Sequence, residues 1–208
     1  MSSLLHRCVV EVGSDTARAP LVLLHGSYGT ESDLLSMAGR LEPGASRLGV
    51  RGTVAMDNGY AFFRRHADRR VDEADLRSRV PSLEALVREF AGRGQLAKPP
   101  VLVGFSNGAI MAAAFLAMHP EMLAGAMLFR PLSPFTTDAS YRRCSIPVLI
   151  VDGAQDQRRS ADDGRRLAER LSGAGAVLTH RVLPVGHPIG DEDEELAREW
   201  LKALQAPE

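Results

Sequence analysis

The sequence predicts an α/β protein with a mainly parallel central sheet of about seven strands and helices on both faces. Three observations carry this. Apolar strand-like runs alternate with helix-like runs along most of the chain. Leu21-Val22-Leu23-Leu24, Val101-Leu102-Val103 and Val148-Leu149-Ile150-Val151 are apolar at every position, as strands covered on both faces must be. A glycine-flanked serine, Gly104-Phe105-Ser106-Asn107-Gly108, joins the second of these runs to the small-residue run that begins at Ala109.

Strands are expected over 7–12, 21–25, 46–50, 101–105, 125–129, 148–152 and 178–183, and helices over 31–41, 73–92, 107–118, 161–171 and 192–204. In the second helix Leu76, Val80, Leu83, Leu86, Val87 and Phe90 recur at three and four residues and form one apolar stripe. Pro81 lies inside it, so a kink or a break into two helices is expected there. Ser160 is the expected cap of the fourth helix and Asp191 of the last. The stretch 51–72 has no clean periodicity. Its adjacent Phe62 and Phe63 read either as a pocket wall or as aromatics anchoring a loop in the core.

At 208 residues the chain reads as one domain, 1–208, large enough for a substantial core. A formal net charge of −1 gives no field favouring nucleic acid or an anionic membrane, so neither is expected as a partner. Cys8 and Cys144 are too few for a disulfide scaffold and lack metal-ligand spacing. With no basic-then-apolar leader over residues 1–7, a cytoplasmic protein is expected.

A G-x-S-x-G at a strand-to-helix turn is the nucleophile elbow of an α/β-hydrolase. A serine hydroxyl is a poor nucleophile at neutral pH; it needs a base, and a third group to orient that base. In this fold the acid and the histidine follow the serine along the chain. His187 comes after the last strand and before the last helix, so it lies on a loop at the carboxyl edge of the sheet, where Ser106 also emerges. Asp156 lies just beyond a strand tip, with Asp152, Asp162 and Asp163 as competitors for the acid. The oxyanion needs N–H donors. Asn107 N–H is one, and Ser27 N–H, in the loop His25-Gly26-Ser27-Tyr28-Gly29, is the second. Tyr28, Phe62, Phe63 and Leu132 are the expected substrate-binding residues. Arg64, Arg65 and Arg130 are cations near that pocket, read either as selecting an acidic substrate or as structural ion pairs.

These segments together resemble the phospholipase/carboxylesterase family of small α/β-hydrolases, and most of all its short bacterial carboxylesterases, which include the hydroquinone-stress esterases. Leu24-His25-Gly26 with Gly29-Thr30-Glu31-Ser32-Asp33-Leu34-Leu35 is similar to the family's L-H-G-x-G-G-x-E-x-D-L-L segment. Gly104 to Ala109 matches its G-F-S-N-G-A elbow, and Leu128-Phe129-Arg130-Pro131 an L-x-R-P segment. Asp72-Glu73-Ala74-Asp75-Leu76 resembles its F-D-E-x-D-L. The resemblance implies a hydrolase without a large lid, acting on small carboxylic esters with no metal or cofactor. It maps nucleophile, acid and base to Ser106, Asp156 and His187, the oxyanion donors to Ser27 and Asn107, and makes a homodimer the expected assembly. A thioesterase, a lactonase, an acyl-transferring biosynthetic enzyme with the same triad, or a silent ligand-binding protein on this scaffold are the alternatives. The chain departs from the family where Gln157-Arg158-Arg159-Ser160 replaces the Pro and Val-Pro turn after the acid, where Ser27-Tyr28 replaces a small Gly-rich pair, and where Pro188 follows His187.

Overall fold

Leu21, Val22, Leu23 and Leu24 form strand β2 (Leu21–Leu24), and all four are buried, because the sheet is covered on both faces. The computed structural model describes residues 6–68 and 70–205; of the segment 1–7, read above for a leader, residues 1–5 lie outside the described residues. Around β2 are β1 (Cys8–Glu11), β3 (Arg47–Val50), β6 (Val101–Phe105), β7 (Gly125–Phe129), β8 (Pro147–Gly153) and β9 (Val177–Leu183). They form one seven-stranded sheet in the order β1-β3-β2-β6-β7-β8-β9. Every neighbouring pair is parallel except β1 and β3.

The period-2 alternation of the strands divides the core. Val22, Leu24, Leu102 and Ile150 face one apolar cluster with α2 (Glu73–Gly92), α3 (Asn107–Met118) and α4 (Ala161–Gly173). Leu21, Leu23, Val101, Val103 and Leu149 face the other with α1 (Leu35–Leu41) and α5 (Asp191–Leu204). Residues 107–117 of α3 are buried on every side, which its run of alanines permits by letting neighbours approach closely. Among the described residues, no helix is long and apolar enough to cross a membrane.

Four local readings need correction. α1 begins at Leu35, not at residue 31, because Thr30 and Asp33 close a turn and the Glu31 carboxylate is held by Arg51 at 2.7 Å. α2 runs through Pro81 without a break. The proline is on the exposed side, and buried Leu76, Val80, Leu83 and Leu86 grip the helix before and after it. The cap of α5 is Gly190, whose N–H donates to Asp193 at 2.9 Å, and Asp191 is the first helical residue. The stretch 51–72 holds a hairpin, β4 (Val54–Met56) and β5 (Gly59–Ala61), turning at Asp57-Asn58, with Gly59, the first residue of β5, at φ +110°. Tyr60 N–H donates to the Gly29 carbonyl at 3.0 Å, so the hairpin braces the loop after β2. Ser160 caps α4 through its side chain.

The parallel strands bring their carboxyl ends to one edge. Ser27, Ser106, Arg130, Asp156 and His187 all lie within four residues of such an end, after β2, β6, β7, β8 and β9. Packing beneath that edge is tight at Gly108, where a Cβ would be driven into the Leu24 and His25 carbonyl oxygens. Gly108→Ala must therefore separate α3 from β2. It is expected to cost about 1–3 kcal/mol and to lower Tm by roughly 2–4 °C per kcal/mol in a thermal melt. An unchanged Tm would count against this packing.

Candidate active site

Ser106 follows β6 directly and precedes α3, with φ +52° and ψ −107°. Few non-glycine residues tolerate such a backbone, and holding one there costs on the order of 1–3 kcal/mol. The surroundings enforce it. Ser106 N–H donates to the Phe129 carbonyl of β7 at 2.9 Å, and its own carbonyl accepts from Ile110 in α3 at 3.2 Å. The next residue, Asn107, opens the helix, where backbone N–H groups have no partner within the helix. Its side chain is committed elsewhere: Oδ1 accepts from Phe62 N–H at 2.7 Å, so Asn107 offers the serine its backbone.

The loops after β8 and β9 are tied to each other by their backbones. Ala154 N–H donates to the Leu183 carbonyl at 2.8 Å and Gln155 N–H to the Val185 carbonyl at 3.0 Å. Gly153 makes the approach feasible, since a Cβ there would stand 2.5 Å from the Val185 oxygen and 2.6 Å from that of Gly186. The result brings Asp156, His187 and Ser106 together. His187 Nδ1 is 2.7 Å from Asp156 Oδ2, and His187 Nε2 is 3.0 Å from Ser106 Oγ. A carboxylate only accepts, so the imidazole proton resides on Nδ1, and Nε2 presents its lone pair to the serine hydroxyl.

The electrostatics follow from the same contacts. Burial lowers the basicity of His187 below the ordinary histidine value; this outweighs the Asp156 carboxylate, and the charges of Arg159 and Arg158 add to it. For Asp156, burial acts to raise the pKa. The hydrogen bonds from His187 and the Arg158 N–H, with the nearby charges, overcome it and hold the carboxyl below its usual range. Its Oδ1 accepts from Arg158 N–H at 2.7 Å and Arg159 N–H at 3.2 Å. The competing acids are occupied elsewhere. Asp152 pairs with His180 at 2.7 Å, Asp163 accepts the Ser160 N–H, and Asp162 pairs with Arg165.

On the other side of the serine, His25 orders the loop after β2. Its Nε2 accepts from Gly52 N–H at 3.0 Å, which leaves Nδ1–H to donate to the Gly26 carbonyl at 2.6 Å. Burial keeps the ring neutral by lowering its pKa, outweighing the Gly26 bond. In a trans peptide, drawing the Gly26 oxygen towards His25 turns the Ser27 N–H the opposite way. Gly26 packs on the Phe105 ring, beside Ser106.

Two arginines complete the site, the first with its role left open by the sequence and the second not assigned from it. Arg130, at φ +53°, is fully buried. Its guanidinium is paired with Asp193 at 2.7 and 2.8 Å and donates to the carbonyls of Gly186, Pro188 and Val151. It thus clamps both sides of His187 to α5 and is a structural ion pair. Arg159 is the second. Its Nη2 is 3.0 Å from Ser106 Oγ, and its Nε donates to the Arg130 carbonyl at 2.9 Å. The sequence signal for it was the departure at Gln157-Arg158-Arg159.

A cavity of about 600 Å³ opens beside His187, with Ser27, Tyr28, Phe105 and Arg158 in its wall. Tyr28 is exposed there, at φ +68°. Leu132 lines a separate cavity near the start of α2. Phe62 and Phe63 are not pocket residues: both are fully buried in the core, and Phe62 packs on the His25 ring at 4.8 Å. The backbone bond to Asn107 draws them inwards. Arg64 pairs with Asp75, and Arg65 lies 6.0 Å from the Phe63 ring.

The phospholipase/carboxylesterase family model matches residues 5–204. Among curated proteins, the putative hydrolase MhqD of Bacillus subtilis (strain 168) is 35% identical over 183 residues, covering 88% of this chain and 92% of that protein. Among solved structures, the Bacillus cereus carboxylesterase superposes with a TM-score of 0.92 at 33% identity, covering 98% of this chain and 96% of that one. A carboxylesterase from Mesorhizobium loti gives 0.89 at 28% identity, covering 97% of each chain. The fold is that of the α/β-hydrolases, without a large additional domain.

Removing one partner of the buried Arg130–Asp193 pair leaves an uncompensated charge. Asp193→Ala is expected to cost about 3–5 kcal/mol in urea unfolding. A loss under about 1 kcal/mol, the scale of an exposed pair, would mean the pair does not brace the His187 loop.

Proposed function

The chain belongs to the phospholipase/carboxylesterase family, and from that premise we propose that it is a serine carboxylester hydrolase acting on small esters. The observation that carries this reading is the hydrogen-bonded run from Asp156 through His187 to Ser106. In the first half-reaction Ser106 Oγ attacks the ester carbonyl carbon while His187 Nε2 takes the hydroxyl proton. Asp156 stabilises the imidazolium and keeps its orientation. The oxyanion of the tetrahedral intermediate is received by the N–H groups of Ser27 and Asn107. The carbonyl re-forms, the alkoxide leaves, and His187 returns the proton to it. Water, deprotonated by the same histidine, then cleaves the acyl-enzyme and regenerates Ser106.

The cavity of about 600 Å³ beside His187 suits a small leaving group. Cys8 and Cys144 are free thiols, which fits a reducing compartment, and we assign the protein to the cytoplasm.

Labelling with a fluorophosphonate probe tests the nucleophile. Wild-type protein should label, and Ser106→Ala should neither label nor retain activity, losing about 10⁴-fold or more in kcat on a short p-nitrophenyl ester. A folded wild type that does not label would overturn the reading.

The pH profile tests the base. His187 acts only when neutral, so kcat/KM falls as the pH drops through its pKa. Burial and the two arginines lower that pKa, so the acidic limb should have its midpoint below 6.5 and activity should be flat through neutrality. A midpoint above 6.5 would contradict the assignment.

A further inference from the structure

Asparagine occurs twice in the chain, and both times glycine follows it: Asn58-Gly59 and Asn107-Gly108. Glycine puts no side chain in the way of its own nitrogen, so in this dipeptide that nitrogen can reach the asparagine Cγ. The fold treats the two pairs in opposite ways. Asn107 is 2% exposed, its Oδ1 accepts from Phe62 N–H at 2.7 Å, and Gly108 is packed on the Leu24 and His25 carbonyl oxygens in the first turn of α3. Neither a ring closure nor the water that follows it has room there. Asn58 is exposed at the tip of the β4–β5 hairpin, and its side-chain amide has no hydrogen bond among the described residues. Loop tips of this kind have a freedom that buried segments lack. We propose that Asn58 is a deamidation site, and that its isoaspartate product slackens the loop after β2, so that the turn sets a lifetime on the activity. The second half rests on the serine-hydrolase reading above.

The step needs nothing but water. Gly59 N attacks Asn58 Cγ and a C–N bond forms. The Cγ–Nδ2 bond breaks, and Nδ2 leaves as ammonia with the proton that Gly59 N gives up. The product is a five-membered succinimide, which water opens on one of its two sides. Cleavage of the new Cγ–N bond restores the ordinary main chain with aspartate at 58. Cleavage of the old C–N bond leaves Gly59 attached through Cγ, as isoaspartate, with the α-carboxylate pendant. The main chain is then one methylene longer at that point. The hairpin has no slack to absorb it. Gly59, at φ +110°, lies against the loop after β2, where a Cβ would stand 2.1 Å from the Tyr28 oxygen. Tyr60 N–H, one residue on, holds the Gly29 carbonyl at 3.0 Å. Arg51, paired with Glu31, lies 4.5 Å from the centre of the Tyr60 ring. A longer chain displaces Gly59 and Tyr60 against these contacts, and Ser27 lies in the loop they brace.

The test ages the purified wild type at mildly alkaline pH and follows it by peptide mass spectrometry and by turnover of a short p-nitrophenyl ester. The peptide holding residue 58 should gain the mass that separates aspartate from asparagine, with isoaspartate among the products and ammonia released to match. The peptide holding residue 107 should stay unchanged in the folded protein and convert once urea unfolds it. The converted fraction should have kcat lowered by about ten- to a hundredfold, the scale of a small misplacement at a reacting centre. Asn58→Gln keeps the amide but would have to close a six-membered ring, so it should neither convert at that position nor lose activity on ageing. No conversion at 58 in the folded wild type, or conversion at 107 as fast as at 58, overturns the site. Conversion at 58 with kcat unchanged, or the same loss of activity in Asn58→Gln, overturns the lifetime while the hydrolase reading stands. Fresh protein that turns over no ester removes the hydrolase reading and the lifetime with it, and the mass of the 58 peptide still decides the site.

Discussion

The site depends on one buried charge. Arg130 is wholly enclosed, and a guanidinium in such a place is tolerable only when its donors are met. Asp193 of α5 meets it with both oxygens, and the carbonyls of Val151, Gly186 and Pro188 meet the rest. The chain must therefore bring β8, the His187 loop and the first turn of α5 to the tip of β7. None of these segments is near Arg130 in sequence. The position of His187 thus follows from satisfying a cation that never touches it. The left-handed backbone of Arg130 turns the same residue's carbonyl to Arg159, so the clamp extends to the far side of the serine.

Polar side chains near Ser106 divide into those that touch it and those that shape the backbone. His187 and Arg159 are of the first kind. His25 and Asn107 are of the second. His25 orients the Gly26–Ser27 peptide, and Asn107 reaches back to Phe62. In the proposed mechanism the Ser27 and Asn107 N–H groups would meet developing negative charge, where donors must be fixed in advance. The hairpin of β4 and β5 adds a brace from outside through Tyr60 and Gly29.

Much of this was legible in the chain. Strands buried on both faces announce themselves by unbroken apolar runs, and 101–105, 125–129, 73–92 and 107–118 have the bounds expected from sequence. Ser106, His187 and Asp156 could be placed because each follows a readable strand. What stayed open or unread turned on contacts distant in sequence. Phe62 and Phe63 belong to the core because Asn107, forty-five residues away, pulls their backbone inwards. Asp152 is set aside as an acid because His180 of the neighbouring strand takes it. The Arg130–Asp193 pair spans sixty-three residues, and no local pattern marks it. Even the hairpin lacked strands long enough to show a period.

The four-residue loop from Gln157 to Ser160 has a consequence of its own. Its backbone steadies the carboxylate behind the histidine, its charges make that histidine a weaker base, and one of its side chains reaches the serine. The surroundings of the serine hydroxyl and the basicity of the histidine are thus written in the same few residues. A lineage that exchanged this loop would inherit both changes together, and drift in one property would drag the other with it. Relatives that keep Ser106, His187 and Asp156 but differ here should fall into groups separated by both traits at once.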